Sequence, residues 1–275
     1  PEVLIAALGA VTRRIRLGSG GVMLPHYSAY KVAEQFAVLS NLYPDRIDLG
    51  VGRAPGGDMQ VAAAMSAPHP PSFRNFPQQV ADLVGYLNGS LSQPALSPEP
   101  AGDVPVWMLG TSADSAVLAG RLGLPYALAL FINPMAGPDL TDLYRRNFRP
   151  SAALAEPYVM LAMTAFAVED AEYGELLRKN YFLNMARLLG GGQQPALSPE
   201  ESRDVGFTER EAMIVGAQAR IAAFGAPAAV RDKILSLAKA FDANEVMLST
   251  NAYYLADRLK SIELMAGAFA MAEAA

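Results

Sequence analysis

The chain has 275 residues, 52% apolar and 18% charged, enough apolar material for one sizeable core. A net charge of −5 with no basic tract argues against nucleic-acid binding, and no apolar run approaches the ~20 residues that cross a bilayer. No cysteine and only two histidines, His26 and His69, exclude disulfides, thiolate catalysis and cysteine- or multi-histidine-ligated metals, so a cytoplasmic enzyme acting on a small molecule is the expectation.

Pro1 to Val11 reads as a helix, with Pro suited to its first position and an apolar stripe at Val3, Leu4, Ala7 and Leu8. A chain that enters a helix at once implies an element upstream of Pro1. Ile15 to Leu24 is a β-rich stretch carrying Gly18, Gly20 and Gly21, and Lys31 to Leu42 places Val32, Phe36, Leu39 and Leu42 on one helical face. Arg46 to Gly52 is a short buried strand, followed by a glycine-rich loop at Ala54 to Asp58. Then come a helix at Phe76 to Leu87, a strand at Val104 to Leu109, a helix at Ser112 to Leu122 and a strand at Pro125 to Ile132. Leu140 to Phe148 is helical, and Pro157 to Val168 is a strand of near-continuous apolar residues, as when both faces are covered. The chain closes with a helix at Ala226 to Phe241, a strand at Glu245 to Ser249 and a helix at Tyr253 to Ala270.

Six strands alternating with helices predict a parallel sheet with crossover helices. A doubly wound sheet and a closed barrel both satisfy that pattern, and the helical start favours the barrel. Glu169 to Phe224 stands out as a mostly helical insertion, able to cover an active site or to decorate the surface. A seven-residue string, Gln-Pro-Ala-Leu-Ser-Pro-Glu, occurs twice, at Gln93–Glu99 and Gln194–Glu200, with unrelated flanks. Ser-Pro-Glu suits a helix cap, so the string reads as recurrent loop chemistry and not as a structural repeat.

Four strand ends could carry chemistry. Gly18 to Gly21 marks either a bulge or a flat ligand against the backbone. Arg53 follows a buried strand among glycines, suited to a phosphate or to a carboxylate such as Asp48 or Asp58. Leu109, Gly110, Thr111, Ser112 and Ser115 lead into a helix, where hydroxyls and amides bind an anion or simply cap. Phe131 to Pro134 is a turn that could touch ligand. His26, just past a strand end, reads as a binding or structural residue, and His69 as an exposed loop residue. No nucleophile elbow and no paired carboxylates emerge, Ser19, Glu34 and Asp45 included.

The stretches Arg16–Ser28 (RLGSGGVMLPHYS), Lys31–Phe36 (KVAEQF) and Tyr43–Gly56 (YPDRIDLGVGRAPG) resemble the bacterial luciferase-like monooxygenases, closest to their MsnO-type oxidoreductase branch. The resemblance continues through Val106–Ser112 and Gly123–Pro125 to the helix at Arg258–Met265, and so covers the whole chain. It implies one (β/α)8 barrel domain over residues 1–275, lacking its first two strands, with the insertion at about 169–224. It also implies a non-prolyl cis peptide matching Gly20–Gly21 against a flavin ring. A phosphate site would comprise Arg53, Thr111, Ser112 and Ser115, with Ala54 and Pro55 lining the flavin and Leu109 and Gly110 supporting the ring or ribityl chain. The family's usual catalytic histidine would precede Pro1, so no catalytic residue is assigned, and Gly52 stands where some luciferases carry cysteine.

The implied activity is a flavin-dependent monooxygenase, with reduced FMN from a separate flavin reductase and dioxygen oxidising a small organic substrate. A deazaflavin-dependent dehydrogenase and a non-catalytic flavin-binding protein are the alternatives. Met23, Trp107 and Phe131 are candidate apolar pocket walls. No metal, nucleic acid or membrane partner is expected. The apolar faces of the early helices suit either a homodimer or core packing.

Overall fold

A computed structural model describes residues 1–53, 59–66, 73–189 and 195–270 of the chain. They form two compact units, Pro1–Ala127 with Leu140–Tyr158, and Leu128–Asp139 with Val159–Ala275.

In the first unit, strands β1 (Leu17–Met23), β2 (Ile47–Gly52) and β3 (Val106–Gly110) run parallel and side by side in chain order. Strand β4 (Tyr126–Ala129) begins beside β3, where the Met108 amide donates to the Pro125 carbonyl at 2.9 Å. Alternation along β2 buries Ile47, Leu49 and Val51 on one face and turns Asp48, Gly50 and Gly52 to the other. Helices α2 (Ala29–Leu42) and α4 (Phe76–Leu87) bury Val32, Phe36 and Leu39, and Phe76, Val80 and Leu83. Leu42 ends its helix 57% exposed, outside the stripe expected of it.

Helix α1 (Glu2–Val11) lies where the sequence places it, and of the two roles open to its apolar stripe the structure does not show core packing. Its buried face is Ile5 and Gly9, while Val3, Leu4, Ala7 and Leu8 are exposed. Tyr43 is the reason: its hydroxyl donates to the Ala6 carbonyl at 2.7 Å, and its ring lies where a Gly9 Cβ would sit 2.3 Å from it. The missing side chain of Gly9, together with the apolar Ile5, selects the contact face.

Helix α5 (Ala113–Leu122) follows β3 and ends at Gly123 in the left-handed conformation that glycine tolerates. Helix α6 (Asp139–Asn147) crosses it closely at Gly120, where a Cβ would lie 2.7 Å from the Tyr144 carbonyl oxygen. The buried Tyr144 hydroxyl donates to the Leu124 carbonyl at 2.9 Å and accepts from the Tyr158 amide at 3.0 Å.

In the second unit, all nine residues of β5 (Val159–Ala167) are buried. Strand β7 (Glu245–Ser249) pairs in parallel with Met160–Thr164, and the short β6 (Ala223–Gly225) with Ala165–Ala167. Helices α10 (Pro227–Ala240) and α11 (Leu255–Ala268) supply Val230, Ile234 and Met265 to a core with Met163, Ala165, Ala167 and Ala223. The buried Ser261 hydroxyl accepts from the Ala167 amide at 2.9 Å, satisfying the end of β5.

The segment Glu169–Phe224 is mostly helical, with α7 (Ala171–Leu189), α8 (Pro199–Ser202) and α9 (Glu209–Ile221). Tyr181 and Phe182 of α7 pack on Phe224, and the Tyr181 hydroxyl lies 2.9 Å from Thr164 Oγ1. The repeated string takes two different forms. Ser198 caps α8 in a reciprocal box with Glu201, whereas Ser97–Pro98 lies in irregular chain with a cis bond. Helix α3 (Met59–Ser66), eight residues long and directly after the glycine-rich loop, and β6, three residues long, were not read from the sequence.

Candidate functional site

The first unit brings the ends of β1, β2 and β3 together with the start of α5. Gly20–Gly21 is a non-prolyl cis peptide, and the β1–β2 register shifts there, with Gly20 opposite Gly50 and Val22 opposite Val51. The bulge and the cis bond are thus both present at the same glycines.

The glycines divide by what surrounds them. A Cβ on Gly21 would lie 2.5 Å from Leu109 Cδ1, and one on Gly50 would lie 2.2 Å from the Ser19 carbonyl oxygen. Those two positions are closed by packing, with the Leu109 side chain over both. Among the described residues, a Cβ on Gly20 would meet nothing within 4 Å, and one on Gly52 only the Leu109 carbonyl oxygen at 3.9 Å. Gly20 and Gly52 therefore present bare backbone to open space, the surface a flat ring needs for close approach.

Ser19 ties this arrangement. Buried, it donates from Oγ to the Gly50 carbonyl at 2.9 Å and accepts from the Gly50 amide at 3.0 Å. Its hydroxyl is a strand clamp, and nothing in the sequence pattern distinguished it from a solvent-facing serine.

Arg53 stands at the end of β2, 51% exposed, with Nη1 3.7 Å from Oδ2 of Asp114 in the first turn of α5. Of the carboxylates weighed from the sequence, Asp48 is engaged elsewhere. It accepts from Arg16 at 2.8 and 3.0 Å and from the Trp107 indole at 3.3 Å. Trp107 also packs edge-on to Tyr158, and its N–H, which needs an acceptor when buried, finds one in Asp48. Asp58, Ala54, Pro55 and His69 lie outside the described residues.

Ser112 and Ser115 form a reciprocal cap on α5. Ser112 Oγ accepts from the Ser115 amide at 3.3 Å, and Ser115 Oγ accepts from the Ser112 amide at 3.2 Å while donating to the Ser112 carbonyl at 2.8 Å. The Ser115 hydroxyl is committed to the cap and lies under Gly110, where a Cβ would meet it at 2.2 Å. Ser112 Oγ also lies 3.3 Å from Ser115 Oγ, a partner it can exchange for a ligand oxygen, and among the described residues no group accepts from the Ala113 and Asp114 amides. Capping and anion binding are therefore compatible here, with Ser115 as support.

His26 is buried, with Nδ1 2.7 Å from Ser66 Oγ and its ring edge-on to Phe73. The Ser66 partner follows from α3. Phe131 is partly exposed, and its carbonyl accepts from the buried Gln218 of α9 at 3.1 Å. Among the described residues there is no cluster of three or more metal-binding side chains, and no helix is long and apolar enough to cross a membrane.

Residues 1–243 match the profile of the luciferase-like monooxygenases. The chain belongs to that family. An Escherichia coli (strain K12) luciferase-like monooxygenase is 38% identical over 267 residues, spanning 96% of this chain and 79% of that protein. The N-acetyl-S-alkylcysteine monooxygenase of Bacillus subtilis (strain 168) is 41% identical over 184 residues, 64% of this chain and 54% of the relative. The crystal structure of apo-MsnO8 superposes with a TM-score of 0.87 at 33% identity, covering 99% of this chain and 83% of the other.

More distant structures share the fold. They include a type II Baeyer–Villiger monooxygenase from Pseudomonas putida in complex with FMN (TM-score 0.64, 18% identity, 96% and 82% covered). An F420-dependent secondary alcohol dehydrogenase is another (TM-score 0.69, 13% identity, 97% and 82% covered). The family's fold is α/β with parallel strands, as in both units here, and its monooxygenases make an oxidoreductase the coarse functional class.

Proposed function

We propose that this chain is the oxygenating component of a flavin-dependent monooxygenase, built on a (β/α)8 barrel and using reduced FMN and dioxygen on a small organic substrate. The observation that carries the reading is the meeting of Arg53 with the start of α5, beside the bare backbone of Gly20 and Gly52. A cation, two amides at a helix start and a hydroxyl match a phosphate monoester, and the open glycine backbone matches a planar ring.

In this reading Arg53 pairs with the phosphate, and Thr111, Ser112 and the Ala113 and Asp114 amides donate to its oxygens. Ser115 holds the cap in shape. Gly20 and Gly21 form the ring seat, and Leu109, fixed over Gly21 and Gly50, supports it with an apolar side chain that excludes water. Gly110 lets α5 start close to the strand. When bound, the flavin supplies the redox chemistry and the activation of dioxygen. A separate reductase would deliver it reduced.

The name of the Bacillus relative, a monooxygenase acting on an N-acetyl-S-alkylcysteine, supports oxygenation over hydride transfer. The test is oxygen uptake on mixing the chain with chemically reduced FMN, against reduced deazaflavin as control. Faster uptake than free reduced FMN in buffer supports the monooxygenase. Hydride transfer from deazaflavin without oxygen uptake would replace it with a dehydrogenase, and tight flavin binding without either would make it a binding protein.

A further inference from the structure

The Arg53–Asp114 pair bears on how this site selects its ligand, an inference that rests on the phosphate reading just given. Asp114 is an odd residue for an anion site. It lies in the first turn of α5, 82% exposed, and brings a negative charge to the place where the helix amides and Arg53 would meet a phosphate. Its presence has an ordinary cause as well, because a carboxylate in a first turn is favoured by the helix dipole. Yet helix stability alone does not place it 3.7 Å from the guanidinium on another strand end.

The pair is exposed on both sides, so it is weak and easily exchanged. Arg53 can therefore leave Asp114 at little cost when a better acceptor arrives. A phosphate offers more charge and bidentate geometry. The carboxylate nonetheless remains on the same helix turn, where it repels the incoming dianion. Both effects lower phosphate affinity, and neither acts on an uncharged ligand.

We propose that Asp114 is a competing counter-ion that holds Arg53, cedes it to an arriving phosphate, and thereby weakens and tunes the site's affinity for phosphate-bearing flavins. The site would take up FMN reversibly. Ser112 and Ser115 hold the cap without Asp114, so Asp114→Asn leaves α5 capped.

The experiment is a fluorescence titration of the full chain with FMN and with riboflavin, which lacks the phosphate. It is run on wild type, Asp114→Asn, Arg53→Ala and the double variant, with thermal unfolding as the folding control. The expected result is FMN binding about 5-fold tighter in Asp114→Asn, as for loss of an exposed charge pair plus repulsion, with riboflavin unchanged. In the Arg53→Ala background the gain should shrink, because the competition has lost its object. If wild type prefers FMN but Asp114→Asn binds it no tighter, or tightens riboflavin equally, the counter-ion is overturned and the anchor stands. If wild type binds FMN and riboflavin alike, the phosphate reading itself fails, and this inference with it.

Discussion

Ser19 and Gly50 hold each other at both hydrogen-bonding groups of one residue: the serine hydroxyl donates to the Gly50 carbonyl at 2.9 Å and accepts from its amide at 3.0 Å. Both ends are buried, directly below the Gly20–Gly21 bulge. Ser19→Ala leaves a buried polar group to be satisfied elsewhere and should cost about 1–3 kcal/mol in urea unfolding. Gly50→Ala should cost more, since its Cβ would meet the Ser19 carbonyl oxygen at 2.2 Å. Equal stability of Ser19→Ala and wild type would remove the clamp from the account.

The cap on α5 separates support from binding. Ser112→Ala removes the acceptor for the Ser115 amide and should lower stability by about 1 kcal/mol. Ser115→Ala breaks the other arm of the box. If Ser112 also donates to phosphate, its substitution weakens FMN more than riboflavin, whereas Ser115→Ala should weaken both alike by loosening the turn. Thermal unfolding and the two titrations check these together.

Alkali should expose Tyr126. Burial pushes its phenol up to about 12 from 10.0, against the opposing effect of the Ser115 hydroxyl. The fold favours the neutral form, so the contribution is intact below pH 10 and is lost as pH rises from 10 towards 12. Two units correspond to about 2–3 kcal/mol at most. Tyr173 is pushed up to about 12 as well, by burial and then by its hydrogen bond to Asp257. Tyr126→Phe should therefore flatten the alkaline loss of stability without abolishing it, read from urea midpoints at pH 8 and pH 11. An unchanged slope would contradict the assignment.

Trp107 is the chain's one tryptophan, so its emission reports a single place. Asp48 accepts its indole N–H at 3.3 Å and the Arg16 guanidinium at 2.8 and 3.0 Å. Asp48→Ala should shift the emission and cost on the order of 1 kcal/mol, a modest figure because Arg16 is half exposed. Emission identical to wild type would mean that the indole does not depend on this carboxylate.

Much of the fold was legible because periodicity and burial agree. The all-buried β5 and the Phe76–Leu87 helix have the extents read from the sequence to within a residue or two. Helix α1 was legible as a helix, but its packed face was not, because Ile5, Gly9 and a tyrosine thirty-odd residues away set it, which no local stripe reveals. The repeated seven residues show the same limit: an identical Ser-Pro-Glu caps a helix once and lies in irregular chain the other time, so the flanks decide. At the site, Arg53 and the α5 start could be named separately from strand-end logic and together from the family resemblance. That Asp114 would be the carboxylate facing Arg53, and that Leu109 would close Gly21 and Gly50 but not Gly20, depends on contacts between strand ends.

Arg53 as the anchor of a flavin phosphate is tested by FMN and riboflavin affinity in wild type and Arg53→Ala. A charge-assisted hydrogen bond of roughly 1.5–3 kcal/mol predicts at least ~10-fold weaker FMN binding in the variant, with riboflavin affinity unchanged. Equal FMN affinity in the two folded proteins would contradict the account.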